Sequence, residues 1–194
     1  MDLLRWLKRA KSDRLDPRVA EWRRAWTMAS SNGEAASVES LDSSLRALGL
    51  PDEETEIERE MLEGLQALVE LRRASAADGL PIIETGHRVI GADRCYFTAP
   101  VSMPEEEAQP SGRLLLAGAR AIFVGGARTK TVPWHSVAEI LQHDRDLVLI
   151  RKDRESLYRF RCNSYADAMC GAYIARRLSA RPPMQPPNQP RIAT

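Results

Sequence analysis

At 194 residues, with 43% hydrophobic and 28% charged residues and a formal net charge of +1, the chain is long enough to bury a core and too balanced for a fibrous or wholly disordered class. The near-neutral balance also lacks the strongly basic footprint of a nucleic-acid-binding domain, so no nucleic acid is expected as a partner. No apolar run approaches the roughly 20 residues of a membrane-spanning helix, and charges interleave from Met1 onward where a secretory signal would be apolar, which points to a cytoplasmic protein.

The average charge conceals blocks. Residues 1–30 carry eight Lys/Arg against four Asp/Glu, residues 31–80 four against twelve, and residues 81–194 sixteen against eleven. Such asymmetry marks interaction tails or an intramolecular match of acidic and basic faces.

In chain order, Leu3 to Lys11 reads as a short basic amphipathic helix. Leu3, Leu4, Trp6, Leu7 and Ala10 lie on one side, Arg5, Lys8 and Arg9 on the other, and Lys11 at the border. Leu3, Trp6 and Leu7 beside Lys8, Arg9 and Lys11 suit contact with an anionic membrane surface, where apolar groups enter the lipid boundary and cations meet headgroups. The same stripe also suits packing on the chain itself or on a protein partner.

Asp16-Pro17 starts a second helix, with Asp capping free amides and Pro at the first helical position. Val19, Trp22, Trp26 and Ala29 recur at helical spacing up to Asn32-Gly33. A weaker helix over residues 34–48 carries Val38, Leu41, Leu45 and Leu48 on one stripe. From Asp52 a Glu-rich start, favoured by the helix dipole, leads into Ile57, Met61, Leu65, Leu68 and Leu71 or Arg72 before the break at Asp78-Gly79-Leu80-Pro81. Residues 1–80 are thus expected to be a helical segment.

After Pro81 the period shortens. Ile82-Ile83, Val89-Ile90 and Cys95-Tyr96-Phe97 read as short β pieces, and Met103 to Ser111, with two prolines and three adjacent glutamates, as a loop. Residues 112–117, 119–124 and 128–133 then form a meander, and short strands over 137–141, 147–150 and 157–162 follow. In the last of these Tyr158, Phe160 and Cys162 alternate with Arg159 and Arg161, the pattern of a half-buried strand. Ser164-x-x-Asp167 opens a final helix to Leu178, whose Ala168, Gly171, Ala172 and Ala175 allow close approach to a sheet. Residues 181–194, rich in Pro and Gln, are expected to be a disordered tail carrying a loose polyproline pattern.

The order of short strands followed by one helix resembles the bacterial pleckstrin-homology-like and GRAM-like domains. The detailed likeness lies in Gly112-Arg113-Leu114-Leu115-Leu116-Ala117-Gly118-Ala119-Arg120-Ala121-Ile122-Phe123-Val124, then Lys130-Thr131-Val132-Pro133-Trp134 and Val137-Ala138-Glu139-Ile140. The family's usual Thr-Asn-Lys-Arg-like turn is replaced here by Ala117-Gly118-Ala119-Arg120, so no lysine role transfers to it. The resemblance implies a PH/GRAM-like antiparallel β-barrel or sandwich closed by a C-terminal helix over residues 81–180; with the helical first 80 residues, which lie outside it, the expected class is α+β. The resemblance further implies a habit of binding lipids, peptides or partner proteins, and transfers no catalytic residue and no cofactor.

Arg128 and Lys130, alternate residues of one strand, could present an anion or headgroup site on one face, or simply a solvated face that guards the edge. Cys95, Cys162 and Cys170 lack metal or redox spacing and read as buried small apolar residues. His87, His135 and His143 lie in no metal-ligand motif, so no metal is expected. The expected function is non-enzymatic binding or scaffolding toward a protein partner or an anionic inner membrane face. The alternatives are a hydrolase-type enzyme using His135 or His143 with Glu139 or Asp144, and weak nucleic-acid binding by the Arg-rich strands over residues 151–161.

Overall fold

The computed structural model describes residues 16–32, 34–126, 128–153 and 156–180. The chain divides into two compact units, Met1–Leu62 and Glu63–Thr194, earlier than the Asp78-Gly79-Leu80-Pro81 break. The amphipathic segment Leu3 to Lys11 and the Pro-rich tail lie outside the described residues.

In the first unit, α1 (Pro17–Asn32) and α2 (Ala35–Ala47) are followed by the start of α3 (Glu56–Asp78). Asp16 caps α1 through Arg18 N–H at 2.8 Å, as a carboxylate before a helical proline should. Val19, Trp22 and Trp26 of α1 and Leu41 and Leu45 of α2 are buried. Each buried indole still needs an acceptor. Trp22 Nε1 donates to Leu41 O at 2.9 Å and Trp26 Nε1 to Met61 O at 2.8 Å.

One residue of the α3 stripe departs from the sequence pattern. Ile57 is 46% exposed, whereas Glu58 is only 1% exposed. Glu58 takes the buried position because Arg23 of α1 donates to its Oε1 at 2.6 Å, and a carboxylate goes inside only when paired.

The second unit holds β1 (Cys95–Ser102), β2 (Ser111–Ala117), β3 (Arg120–Gly125), β4 (Arg128–Pro133), β5 (Val137–His143), β6 (Asp146–Arg151), β7 (Leu157–Cys162) and α4 (Tyr165–Ser179). They form one seven-stranded antiparallel sheet in the order β4-β3-β2-β1-β7-β6-β5. β1 joins the two halves: it pairs with β2 along its length and with β7 only at Val101 and Ser102. The halves meet over a common core, where the rings of Phe123 on β3 and Phe160 on β7 stand 6.3 Å apart. This is the α+β, PH-like sandwich with a closing helix. The sheet stays open, with β4 and β5 as its edges.

Ser164 Oγ accepts from Asp167 N–H at 3.1 Å and starts α4, whose Ala168, Ala172, Ala175 and Leu178 enter the core. Gly171 admits the Phe97 ring: a Cβ there would stand 3.1 Å from it. α4 also covers the β5 edge, because Arg176 donates to Ile140 O from Nε at 3.2 Å and from a terminal nitrogen at 3.1 Å. A charged side chain capping an outward carbonyl blunts an edge against strand addition. Burial, with Arg72 nearby, lowers the Arg176 pKa.

Two short β pieces of the sequence reading are something else. Ile83 makes a single bridge to Cys95, and Arg88–Ile90 is a 3₁₀ turn. The segment lies over the outer face of the first half-sheet, where Ile90 and Val89 pack with Cys95, Leu115, Ala117 and Ile122. A covering segment satisfies its backbone partly through side chains, as in the Arg120 bond to Val89 O at 3.2 Å.

Cys95 and Cys162 are buried and Cys170 is intermediate. Burial first, then the charges of Asp167 and Asp146, pushes the Cys162 thiol up to about 12 from 9.0. Burial, Asp167 and Glu70 push Cys170 up to about 11. A thiol whose pKa is raised by folding holds its proton longer in the native state. The unfolded chain therefore binds fewer protons above pH 9, and stability falls as pH rises from 9 toward 12. Urea titrations between those pH values should show this loss, and Cys162→Ala should reduce it while the part due to Cys170 remains.

Candidate functional site

The cations of the second unit are the natural starting point, since an anion or headgroup site needs them. Lys130 lies opposite Phe123 in the β3–β4 ladder and two residues before the core residue Val132. Directly paired residues share a face, so Lys130 sits on the core side of β4, not on a solvated face. Its aliphatic stem can lie along apolar surface while the ammonium reaches the rim, where Nζ is paired with Glu106 Oε1 of the β1–β2 loop. Arg128 lies in β4 opposite Gly125, and its side chain is outside the described residues.

A second cationic group lies on β7. Arg159 and Arg161 share one carboxylate, Asp146 of β6, whose side chain is 4% exposed. Arg159 Nε donates to Asp146 Oδ2 at 2.9 Å and Arg161 Nε to Oδ1 at 3.1 Å. Arg159 also donates to Glu105 Oε1 at 2.7 Å. Burial works against the Arg159 charge, but its bonds to Asp146 and Glu105 outweigh that and raise its pKa above the ordinary arginine value.

The β1–β2 loop thus sends consecutive carboxylates to strands of both half-sheets, Glu106 to β4 and Glu105 to β7. The loop is closed on itself by Met103 N–H to Pro110 O at 3.0 Å and Gln109 N–H to Glu106 O at 2.8 Å. Gln109 holds φ +40°, the left-handed region that favours glycine. The Glu105-Glu106-Glu107 run was the sequence signal for this loop, but nothing local to it names Lys130 or Arg159 as partners.

The turn that departs from the family pattern is built around Asp93. Its carboxylate accepts from Arg94 N–H at 2.7 Å, Gly118 N–H at 3.2 Å and Ala119 N–H at 2.9 Å. The amides that an external anion would use here are already engaged. On the outer face of β1 and β2, Glu84, Thr85, Gly86, His87, Thr98 and Arg113 line a groove, with Arg113 donating to Thr98 Oγ1 at 3.3 Å. Ile82, two residues before Glu84, is 58% exposed.

His135 is exposed in the 3₁₀ turn before β5, Glu139 is exposed in the middle of β5, and His143 closes that strand with Nδ1 3.3 Å from Asp144 Oδ2. Leu3, Trp6, Leu7, Lys8, Arg9 and Lys11 lie outside the described residues. Among the described residues no three or more His, Cys, Asp or Glu converge as metal ligands. No described helix is long and apolar enough to cross a membrane.

No protein-family model matches the sequence, and no curated protein matches it. Among solved structures, the C-terminal domain of an unknown protein from Leishmania infantum aligns with TM-score 0.40 and 8% identity, over 46% of this chain and 88% of that one. An activated truncation of Vav1 aligns with TM-score 0.40 and 11% identity, over 83% of this chain and 46% of that one. The DH/PH domains of p115-RhoGEF align with TM-score 0.40 and 7% identity, over 87% and 56%. The chain spans about half the length of the Vav1 and p115-RhoGEF chains. At these scores the architecture rests on the chain's own strand order and closing helix.

Proposed function

We propose that this chain is a non-enzymatic binding or scaffolding protein whose PH-like unit engages a protein partner in preference to an anionic membrane. The observation that carries this reading is internal neutralisation. Lys130 is paired with Glu106, and Arg159 and Arg161 are paired with Asp146 and Glu105. An anionic surface would have to displace carboxylates already in place, and the desolvated Asp146 network would resist most. The groove on β1 and β2 supports a protein ligand instead, since it combines hydroxyls and both charge signs, and Ile82, two residues before its Glu84, is exposed.

Co-sedimentation with vesicles of equal parts phosphatidylserine and phosphatidylcholine tests the reading. The full chain should stay in the supernatant, as it should with phosphatidylcholine alone. Selective sedimentation with the anionic vesicles overturns the reading. Its survival in a chain lacking residues 1–12 would put the contact on the PH-like unit, and its loss would put it on Leu3, Trp6 and Leu7 with Lys8, Arg9 and Lys11.

A further inference from the structure

We infer that the groove on the outer face of β1 and β2 takes a bipolar peptide segment of the partner, one that offers a carboxylate to Arg113 and a cation to Glu84. The inference rests on the proposed reading that this unit binds a protein, and adds which chemistry the groove selects.

Arg113 differs from Lys130, Arg159 and Arg161 in what holds it. Each of those three meets a carboxylate. Arg113 is exposed on β2 and makes no ion pair among the described residues; it donates instead to a neutral hydroxyl, Thr98 Oγ1, at 3.3 Å. Thr98 stands on β1 opposite Leu115, two residues along β2 from Arg113, so the bond runs along a cross-strand diagonal on one face. A guanidinium steadied by one hydroxyl keeps most of its five donors for a ligand.

Glu84 lines the same groove, is exposed, and is likewise in no ion pair among the described residues. Opposite charges that share a groove without neutralising each other leave both for what binds there. The remaining lining is Thr85, Gly86, His87 and Thr98. Thr85 Oγ1 accepts from His87 N–H at 3.3 Å, and a Cβ at Gly86 would meet nothing within 4 Å, so the chain leaves open space beside this turn. The groove measures about 360 Å³, the small end of the range for ligand sites and suited to the side chains of a short segment.

The two charges also decide what is refused. A polyanion gains Arg113 but is repelled by Glu84, which is the unfavourable element that specificity requires. A ligand of both signs satisfies both. In an extended peptide alternate residues project on one face, so an acidic and a basic residue two positions apart reach the groove together.

The test is an NMR titration of the isotope-labelled full chain with acetyl-Gly-Asp-Gly-Lys-Gly-amide at low ionic strength. The peptide should shift the amide resonances of Thr85, Gly86 and His87, and more strongly than the same peptide with Asn for its Asp or Gln for its Lys. Arg113→Gln, at an exposed position, should weaken binding on the order of tenfold, the effect of one lost charge-assisted hydrogen bond. Glu84→Gln should erase the preference for the lysine peptide. It should also let inorganic tripolyphosphate shift the same resonances, a gain that misfolding cannot produce. Equal shifts from the three peptides, or none, overturn the bipolar groove and leave the proposed function to stand on the vesicle result. Binding of tripolyphosphate in this groove by the native chain overturns it as well. Sedimentation of the native chain with anionic vesicles overturns the proposed function while the groove is judged on its peptides alone.

Discussion

Arg23→Ala should destabilise the N-terminal unit by on the order of 3 kcal/mol, the lower end of what breaking a buried ion pair costs. The Glu58 side chain is 2% exposed and that of Arg23 35% exposed, so the loss strands a carboxylate that water cannot reach from its own side. The partial exposure of Arg23 lets some solvent in behind the truncated side chain, which is why the upper end is not expected. Urea unfolding followed by tryptophan fluorescence reads this unit through Trp22 and Trp26, both buried in it. The pair's own charge is tested by Arg23→Ala/Glu58→Gln, which should recover most of the loss, since a neutral amide is far cheaper to bury than a lone carboxylate. If the double variant is as unstable as Arg23→Ala, the cost lies in lost packing of the arginine stem and not in the charge.

Gly112→Ala should cost the β unit on the order of 3 kcal/mol, at the upper end for overpacking. A Cβ at Gly112 would stand 2.3 Å from Val124 O and 2.7 Å from Gly125 Cα. Both atoms belong to the β3 backbone, which the β2 and β4 ladders hold in place, so the strand would have to shift. Gly118→Ala is the control: its Cβ would meet Asp93 Oδ1 at 2.6 Å, a side-chain end that can turn away. The control should lose at most the two hydrogen bonds that Asp93 Oδ1 accepts, about 1 kcal/mol each. Fluorescence of Trp134, buried in this unit, follows both unfolding transitions. Equal losses for the two variants would show that the β2–β3 ladder can relax around Gly112.

The reason for that crowding is aromatic. The same Cβ at Gly112 would lie 2.9 Å from the Phe123 ring, and one at Gly125 would lie 2.6 Å from it. The two glycines leave the space in which Phe123 turns to meet Phe160 across the sandwich. Their role as a recess for a ring became visible only when β2 and β3 were paired.

Much of the fold was legible because it is written in local periodicity. The stripe of Val19, Trp22 and Trp26, the alternation of Tyr158, Phe160 and Cys162 with Arg159 and Arg161, and the Ser164 cap depend on neighbours within a few residues. Residues 88–90 form a 3₁₀ turn and not a strand, with Val89 and Ile90 facing an apolar surface supplied by Leu115 and Ile122, far along the chain. Ile57 and Glu58 exchanged places for a similar reason, since only the approach of Arg23 makes Glu58 the better residue to bury.

The candidate site divides along the same line. Lys130 was identifiable as a strand cation, but the face it occupies follows from its pairing with Phe123, and its partner from a loop more than twenty positions earlier. The sequence by itself determined the helices that begin at Pro17, Ala35 and Glu56, the run of short strands, the closing helix and the acidic loop, because hydrophobic spacing and turn residues act over short distances. Only the tertiary structure decided which carboxylate meets which cation, since charge pairing depends on distance in space and not along the chain. That decision turned a row of exposed cations into a neutralised rim.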